Sequence, residues 1–386
     1  MDTPTIIRPK HFSAAMPLTP SVDNFKELLE QYVKLNEEYK DSCYIESFFG
    51  CFYPTEDYYT GYESLRRQPY IAQSYEDKDY LEKDMTDFFE KVDLLREAGF
   101  DFIYLLNSVL NVRLDLHPDV RIERLTKLFD MLLEHNITNI RIANVQIMHF
   151  LKERYSGKFN IYLSTNKEYL SIVQYSRLLD RFPDLKQICL SQGVQKDFTF
   201  IRNLKSKYPD VELEILANEG CLLSCPYRME HNAFTGNGMT TMQGMNYELF
   251  RFNYDLCNYD WENRDEEYFM SRQVYPWDLD AYDGLIDTFK LAGRDNGEDM
   301  KLEMYRLYFD LYTNPENMHY TPFASIFLSR CSCNDKFGTL MISTIKPYLP
   351  KIEYFMNKKD SCNTSCGVTC NYCKECAEKA KQELLI

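Results

Sequence analysis

DFIYLLN at residues 101–107, RIERLTKLFDMLLEHN at 121–136 and NIRIAN at 139–144 set a short apolar run, an amphipathic helix and a second apolar run in sequence. In the middle piece Ile122, Leu125, Leu128, Phe129, Leu132 and Leu133 recur at helical spacing. The flanking runs are apolar at successive positions, as strands buried on both faces are. Strand, crossover helix, strand is the unit of parallel α/β folds.

The same alternation extends both ways. Downstream, NIYLST (160–165), QICLSQG (187–193) and VELEILAN (211–218) read as strands, separated by the helices EYLSIVQYSRLLDRFPDL (168–185) and FTFIRNLKSKYP (198–209). Upstream, TDFFEKVDLLREAG (86–99) is a helix ended by glycine, and YIESFFGCFY (44–53) reads as the first strand. That gives six strands before residue 220, and RQVYPWDL (272–279) and DTFKLAG (287–293) bring the total to about eight. The expected fold is α/β, a TIM-like (β/α)8 barrel with a C-terminal helical, cysteine-rich metal-binding extension. An open doubly wound sheet would carry a glycine-rich phosphate turn after its first strand, and none follows YIESFFGCFY. SVDNFKELLEQYVKLNEEYK (21–40) opens on a capping Ser or Asp and continues as a helix, after a proline-bearing arm. The domain reading is therefore residues 1–40 as arm and lead-in helix, 41–298 as barrel and 299–386 as extension, the last opening on a long helix within 297–320.

Composition narrows the partners. Forty-four Lys and Arg against 59 Asp and Glu give 386 residues a net charge of −15, with the cations dispersed among acids. A nucleic-acid binder replaces phosphate counterions with a basic stripe, so nucleic acid is disfavoured. No apolar run approaches the roughly 20 residues that span a bilayer. The N-terminus lacks the basic-then-apolar order of a signal peptide, and the expected compartment is the cytoplasm. Thiols stay reduced there, so thirteen cysteines are not a disulfide framework.

Five of them, Cys362, Cys366, Cys370, Cys373 and Cys376, lie in CNTSCGVTCNYCKEC. Two- and three-residue gaps let successive thiolates face one ion or cluster, and the soft donor set suits iron–sulfur or zinc. Cys366, Cys370 and Cys373 also spell the CxxxCxxC spacing of radical-SAM enzymes, but from beyond the barrel rather than after an early strand. A second set begins with LEILANEGCLLSCPYRMEHNAF (213–234), where Cys221 and Cys225 follow directly on a strand, with Cys257 some thirty residues on. Strand ends at the C-terminal face are where barrels place their chemistry, and three protein ligands leave a position open to substrate. The plainer alternative is that these are buried thiols.

QICLSQG, LEILANEGCLLSCPYR and PWDLDAYDGLIDTFKLAGR (276–294) together resemble the collagenase-like peptidases, peptidase family U32, over roughly residues 40–300. The resemblance implies a TIM-like barrel holding a [4Fe–4S] cluster. Relatives it resembles include hydroxylases that modify RNA bases or ubiquinone precursors without dioxygen. It carries Cys221, Cys225 and Cys257 over as cluster ligands. The family's last cysteine follows an Asp-Leu pair, where this chain has Asp280. The fourth ligand is then Asp280, a cysteine such as Cys331, Cys333 or Cys362, or none. The tail cluster lies outside the hydroxylases' core pattern and suggests a second cluster, with zinc as the alternative metal there.

Other side chains fall at the same expected mouth. Arg228, His231 and Asn232 follow Cys225, and Asn218 and Glu219 end the preceding strand. Lys290 and Arg294, on the last strand and its exit, join Arg228 as binders of a carboxylate or phosphate; the plainer reading of Lys290 is an ion pair with an acid such as Glu214. His231 is a candidate acid–base group, while His149 reads as an ordinary histidine. The aromatic stretch at 51–70, with Arg66 and Arg67, reads as a lid or a packed surface loop. The functional expectation is an iron–sulfur enzyme that modifies a small molecule or peptide by redox chemistry, such as oxygen-independent hydroxylation. A non-catalytic electron-transfer or scaffold subunit with a partner protein is the alternative. Proteolysis ranks behind both, since neither HExxH nor a nucleophile elbow occurs.

Overall fold

Eight parallel strands close on themselves: β1 (Lys10–Ala15), β2 (Cys43–Gly50), β3 (Asp101–Leu106), β4 (Asn139–Ile142), β5 (Asn160–Leu163), β6 (Leu185–Cys189), β7 (Glu212–Leu216) and β8 (Thr288–Leu291). Each is hydrogen-bonded to the next, and β8 returns to β1. The helices are α1 (Val22–Tyr39), α2 (Lys78–Glu97), α3 (Pro118–Glu134), α4 (Val145–Arg154), α5 (Ile172–Arg181), α6 (Phe198–Lys207), α7 (Glu266–Met270), α8 (Glu298–Thr313) and α9 (Tyr372–Leu384), with a 3-10 helix at Pro276–Tyr282. This computed structural model describes residues 9–17, 19, 21–52, 78–109, 117–218, 222–223, 225–229, 259, 264, 266–270, 273–292, 298–315, 317, 362 and 365–384.

The barrel and its strand number are as the sequence implied, but two of the strands differ. KHFSAA, inside the expected arm, is β1, so the barrel begins at Lys10 rather than near residue 41. Its Ser13, Ala14 and Ala15 carry little β propensity; closure between β2 and β8 makes it a strand. RQVYPWDL is not a strand. Val274 N–H donates to Ala217 O at 2.8 Å, then Pro276, which lacks an N–H, opens the 3-10 helix. Helix α8, assigned by sequence to the extension, covers β1 from outside. Phe12 packs on Phe309 at 4.8 Å between ring centroids, and Ala15 N–H donates to Tyr305 Oη at 3.3 Å.

Outside the strands the core is apolar, with Leu128, Leu132, Ile140 and Ile142 fully buried beneath the helices. Inside, the barrel is polar where branched aliphatic side chains are customary. Arg141 on β4 and Glu214 on β7 meet although β5 and β6 stand between them in the sheet, a contact available only across the barrel interior. Arg141 Nη2 donates to Glu214 Oε1 at 2.9 Å and to Gln187 Oε1 at 3.0 Å, while Nη1 grips Glu214 Oε2. The chain continues from Gln187 Nε2 to Thr288 Oγ1 at 3.5 Å and from Thr288 to Glu46 Oε1 at 2.8 Å. Glu46 Oε2 lies 2.9 Å from His11 Nδ1.

Candidate functional site at the C-terminal face of the barrel

The loops that leave β5, β6 and β7 build one side of the barrel's C-terminal rim. After β5, Ser164 caps a short 3-10 turn that ends on Glu168, whose φ of 43° lies in the left-handed region. After β6, Ser191 donates through Oγ to Glu168 Oε2 at 2.8 Å. After β7, the backbone N–H of Arg228 donates to Cys225 O at 3.3 Å, and its Nε donates to Glu168 Oε1 at 3.4 Å. Arg228 is only 4% exposed and Cys225 is half-buried. The expected carboxylate binder Arg228 is thus engaged with a carboxylate of the protein itself.

Lys290 projects into the barrel, in register with Ser13, with Nζ 3.7 Å from the centroid of the Phe49 ring. Glu214 is gripped by Arg141, and Lys290 acts on the same carboxylate. Burial pushes the Glu214 carboxyl up, but Arg141 and then Lys290 outweigh it and hold the group below its ordinary value. Cys189, which bonds Glu214, is pushed up by burial and then by that carboxylate. Asn218 is engaged within the chain: Oδ1 accepts from Ala292 N–H at 2.6 Å and Nδ2 donates to Ala292 O at 3.1 Å, which stitches β7 to the exit of β8. Asp280 is displaced as a mouth ligand. It pairs with Lys10 Nζ at 3.0 Å and accepts from Tyr312 at 2.8 Å, at the start of β1 and so at the opposite end of the barrel. His149 is half-exposed with Glu153 3.9 Å away, an ordinary surface histidine.

The tail does not hang clear of the barrel. Cys362 O accepts from the N–H of Phe198, the first residue of α6, at 3.4 Å, so the cysteine run begins at the same rim. Gly367, at φ 73°, turns the chain so that its N–H reaches Cys370 O at 3.0 Å and Cys366 bridges Cys370. Burial pushes the Cys373 thiol up to about 12 against the pull of Lys196, and Cys366, Cys362 and Cys376 add to the rise. Lys196 is itself lowered by burial, against Asp278 and the same thiols. Among the described residues, no three His, Cys, Asp or Glu side chains stand in metal-holding geometry. Glu219, Cys221, His231, Asn232, Cys257, Arg294, Cys331 and Cys333, and residues 53–70 with Arg66 and Arg67, lie outside the described residues.

Three rim residues escaped the sequence reading: Glu168, Ser191 and Lys196. Each follows the end of a strand, which is the signal that would have found them. The left-handed backbone of Glu168 had no such signal.

No family model matches the chain. It is 26% identical over 194 residues to the uncharacterized protease MJ1657 of Methanocaldococcus jannaschii, a match covering 50% of this chain and 52% of that protein. The chain thus matches about half the length of that curated relative. Among solved structures, the U32 peptidase Mk0906 is 12% identical, with 76% of this chain and 96% of that chain covered at a TM-score of 0.44. N-acetylneuraminate lyase from Fusobacterium nucleatum is 9% identical, with 96% and 97% covered at 0.40.

Proposed function

We propose, for a chain related to the U32 peptidases, an iron–sulfur enzyme that modifies a small molecule or peptide by redox chemistry at the C-terminal face of its barrel. The observation that carries this reading is that Cys225 and the start of the tail cysteine run stand at one rim. Cys225 follows β7 there, and the tail run starts at the first N–H of α6. A (β/α)8 barrel keeps its chemistry at that face.

The donor set fits the group chemically. Cys366, Cys362 and Cys376 each lie close enough to raise the Cys373 thiol, and thiolate is the customary ligand of iron–sulfur clusters. Cys221, Cys225 and Cys257 are the proposed ligands of the cluster facing substrate, and the tail cysteines those of a second [4Fe–4S] centre, or of zinc. A bound cluster supplies one-electron transfer. Lys196 pulls the Cys373 thiol towards its anionic form, against the larger opposing effect of burial. Lys290, Glu219, His231 and Arg294 are the proposed substrate-handling groups, with Arg228 held beside them by Glu168. An electron-donor protein is the implied partner. Among the described residues, no helix is long and apolar enough to cross a membrane.

Anaerobic purification with iron and sulfide analysis and EPR tests this. About four irons are expected per cluster, with a reduced-state EPR signal, and loss from both Cys225→Ala and Cys370→Ala/Cys373→Ala. Iron lost only from the tail variant would remove the mouth cluster. Zinc alone would reject redox chemistry, and peptide hydrolysis by metal-free protein would return the reading to a peptidase.

A further inference from the structure

We propose that Glu168 is a positioning residue, whose carboxylate ties Arg228, and through it the segment bearing Cys225, to the loops that leave β5 and β6. This rests on the reading above only in taking Cys225 for a ligand. Three loops separated in sequence by helices and strands meet at this one side chain. Ser191 Oγ donates to Oε2 at 2.8 Å, Arg228 Nε donates to Oε1 at 3.4 Å, and the N–H of Arg228 donates to Cys225 O at 3.3 Å. Both carboxylate oxygens are used, one for each neighbouring loop. The pair is largely out of water, with side-chain exposures of 15% for Glu168 and 5% for Arg228. A pair so placed is screened little and tolerates only a narrow geometry.

The backbone supplies an independent argument. At φ 43° Glu168 holds a conformation that glycine adopts without penalty and glutamate does not. A residue needed only for the turn would be served better by glycine. Glutamate there implies that the side chain is required, and the contacts it makes are those to Ser191 and Arg228. The loop after β7 is thereby fixed to the rigid part of the barrel at Arg228, three residues from the thiol it presents.

The test is the alkylation rate of Cys225 in the full chain, with any metal removed by chelation under nitrogen, followed by peptide mass spectrometry. Cys189 and Cys43, both buried, report general loosening. Glu168→Gln and Arg228→Met should each speed alkylation at Cys225 roughly tenfold, as loss of a charge-assisted hydrogen bond does, with Cys189 and Cys43 unchanged. The double variant should be no faster than either single one. Glu168→Gly relieves the backbone but takes this carboxylate from Arg228, so it should show the same faster Cys225 despite the easier turn, with Cys189 and Cys43 again unchanged. An unchanged Cys225 rate overturns the proposal, as does a rise shared by Cys189 and Cys43. Because the protein is metal-free, its outcome is separate from whether iron is found.

Discussion

Arg141 and Glu214 are fully buried and hold each other through two hydrogen bonds, so neither survives alone cheaply. Glu214→Leu should cost about 3–5 kcal/mol in urea unfolding, because the guanidinium left behind is an uncompensated buried charge. Arg141→Met should cost less, since Lys290 also lowers the Glu214 carboxyl. The double variant Arg141→Met/Glu214→Leu should recover most of the loss; a loss equal to the sum would show that the two do not act as a pair. Their pH signatures have opposite sign to that of His11. The folded pKa of Glu214 lies below its ordinary 4.5, so its stabilisation is complete above that value and is lost as pH falls through the folded pKa. The hydrogen bond that His11 donates to Glu46 raises it above its ordinary 6.5, against burial, so that contribution is complete below 6.5 and fades as pH rises through the raised value. Comparing wild type with His11→Gln across this range should show a difference that shrinks towards alkaline pH. It should be under about 1 kcal/mol, because the pair is partly exposed.

At the level of elements, legibility followed the strength of the local pattern. Strands β3 to β7 declare themselves as apolar runs between amphipathic helices, and Ser171 with Gln174 even forms the capping box that opens α5. Strand β1 had no such voice. Its burial is imposed by β2 on one side, β8 on the other and α8 outside, none of which is near it in sequence. VYPW misled for the converse reason: Val274, Tyr275 and Trp277 are buried like strand residues, but Pro276 cannot donate to a ladder. This gives the arm a testable weight. Deleting residues 1–16 should leave β2 and β8 as open edges, and the product should be insoluble or lack the thermal transition of the full chain in circular dichroism. A soluble, cooperatively folding product would mean that the barrel closes without β1. Phe12→Ala is the milder version. It vacates a fully buried site among Phe289, Tyr308 and Phe309, for about 3–5 kcal/mol.

For the whole molecule, the sequence disclosed which residues stand at the C-terminal end of the barrel better than which of them meet there. Cys225 and Arg228 were legible because they follow a strand. Their tie to Glu168 was not, because it joins positions 60 residues apart through a backbone angle that no composition announces. The tail was legible as a run of thiols but not as a neighbour of α6, since the contact is a backbone hydrogen bond from Phe198 that no side-chain pattern announces. The net charge of −15 acts at this scale too. It opposes phosphate chains at long range, and only a concentrated basic patch would overcome it. Of the described rim cations, Arg228 is paired with Glu168, Lys196 stands among Asp278 and the tail thiols, and Lys167 is half-buried over the Tyr169 ring. Transfer RNA or ribosomal RNA fragments titrated into the full chain should therefore show no binding by fluorescence anisotropy at about 0.15 M salt. Weak binding that disappears with a steep salt dependence would count one displaced counterion for roughly every phosphate contacted. A slope of about three or more would reveal a basic patch and bring an RNA substrate back into consideration. Binding insensitive to salt would instead place a base, not the backbone, in the barrel mouth, and would argue for an extruded nucleotide as the small planar substrate.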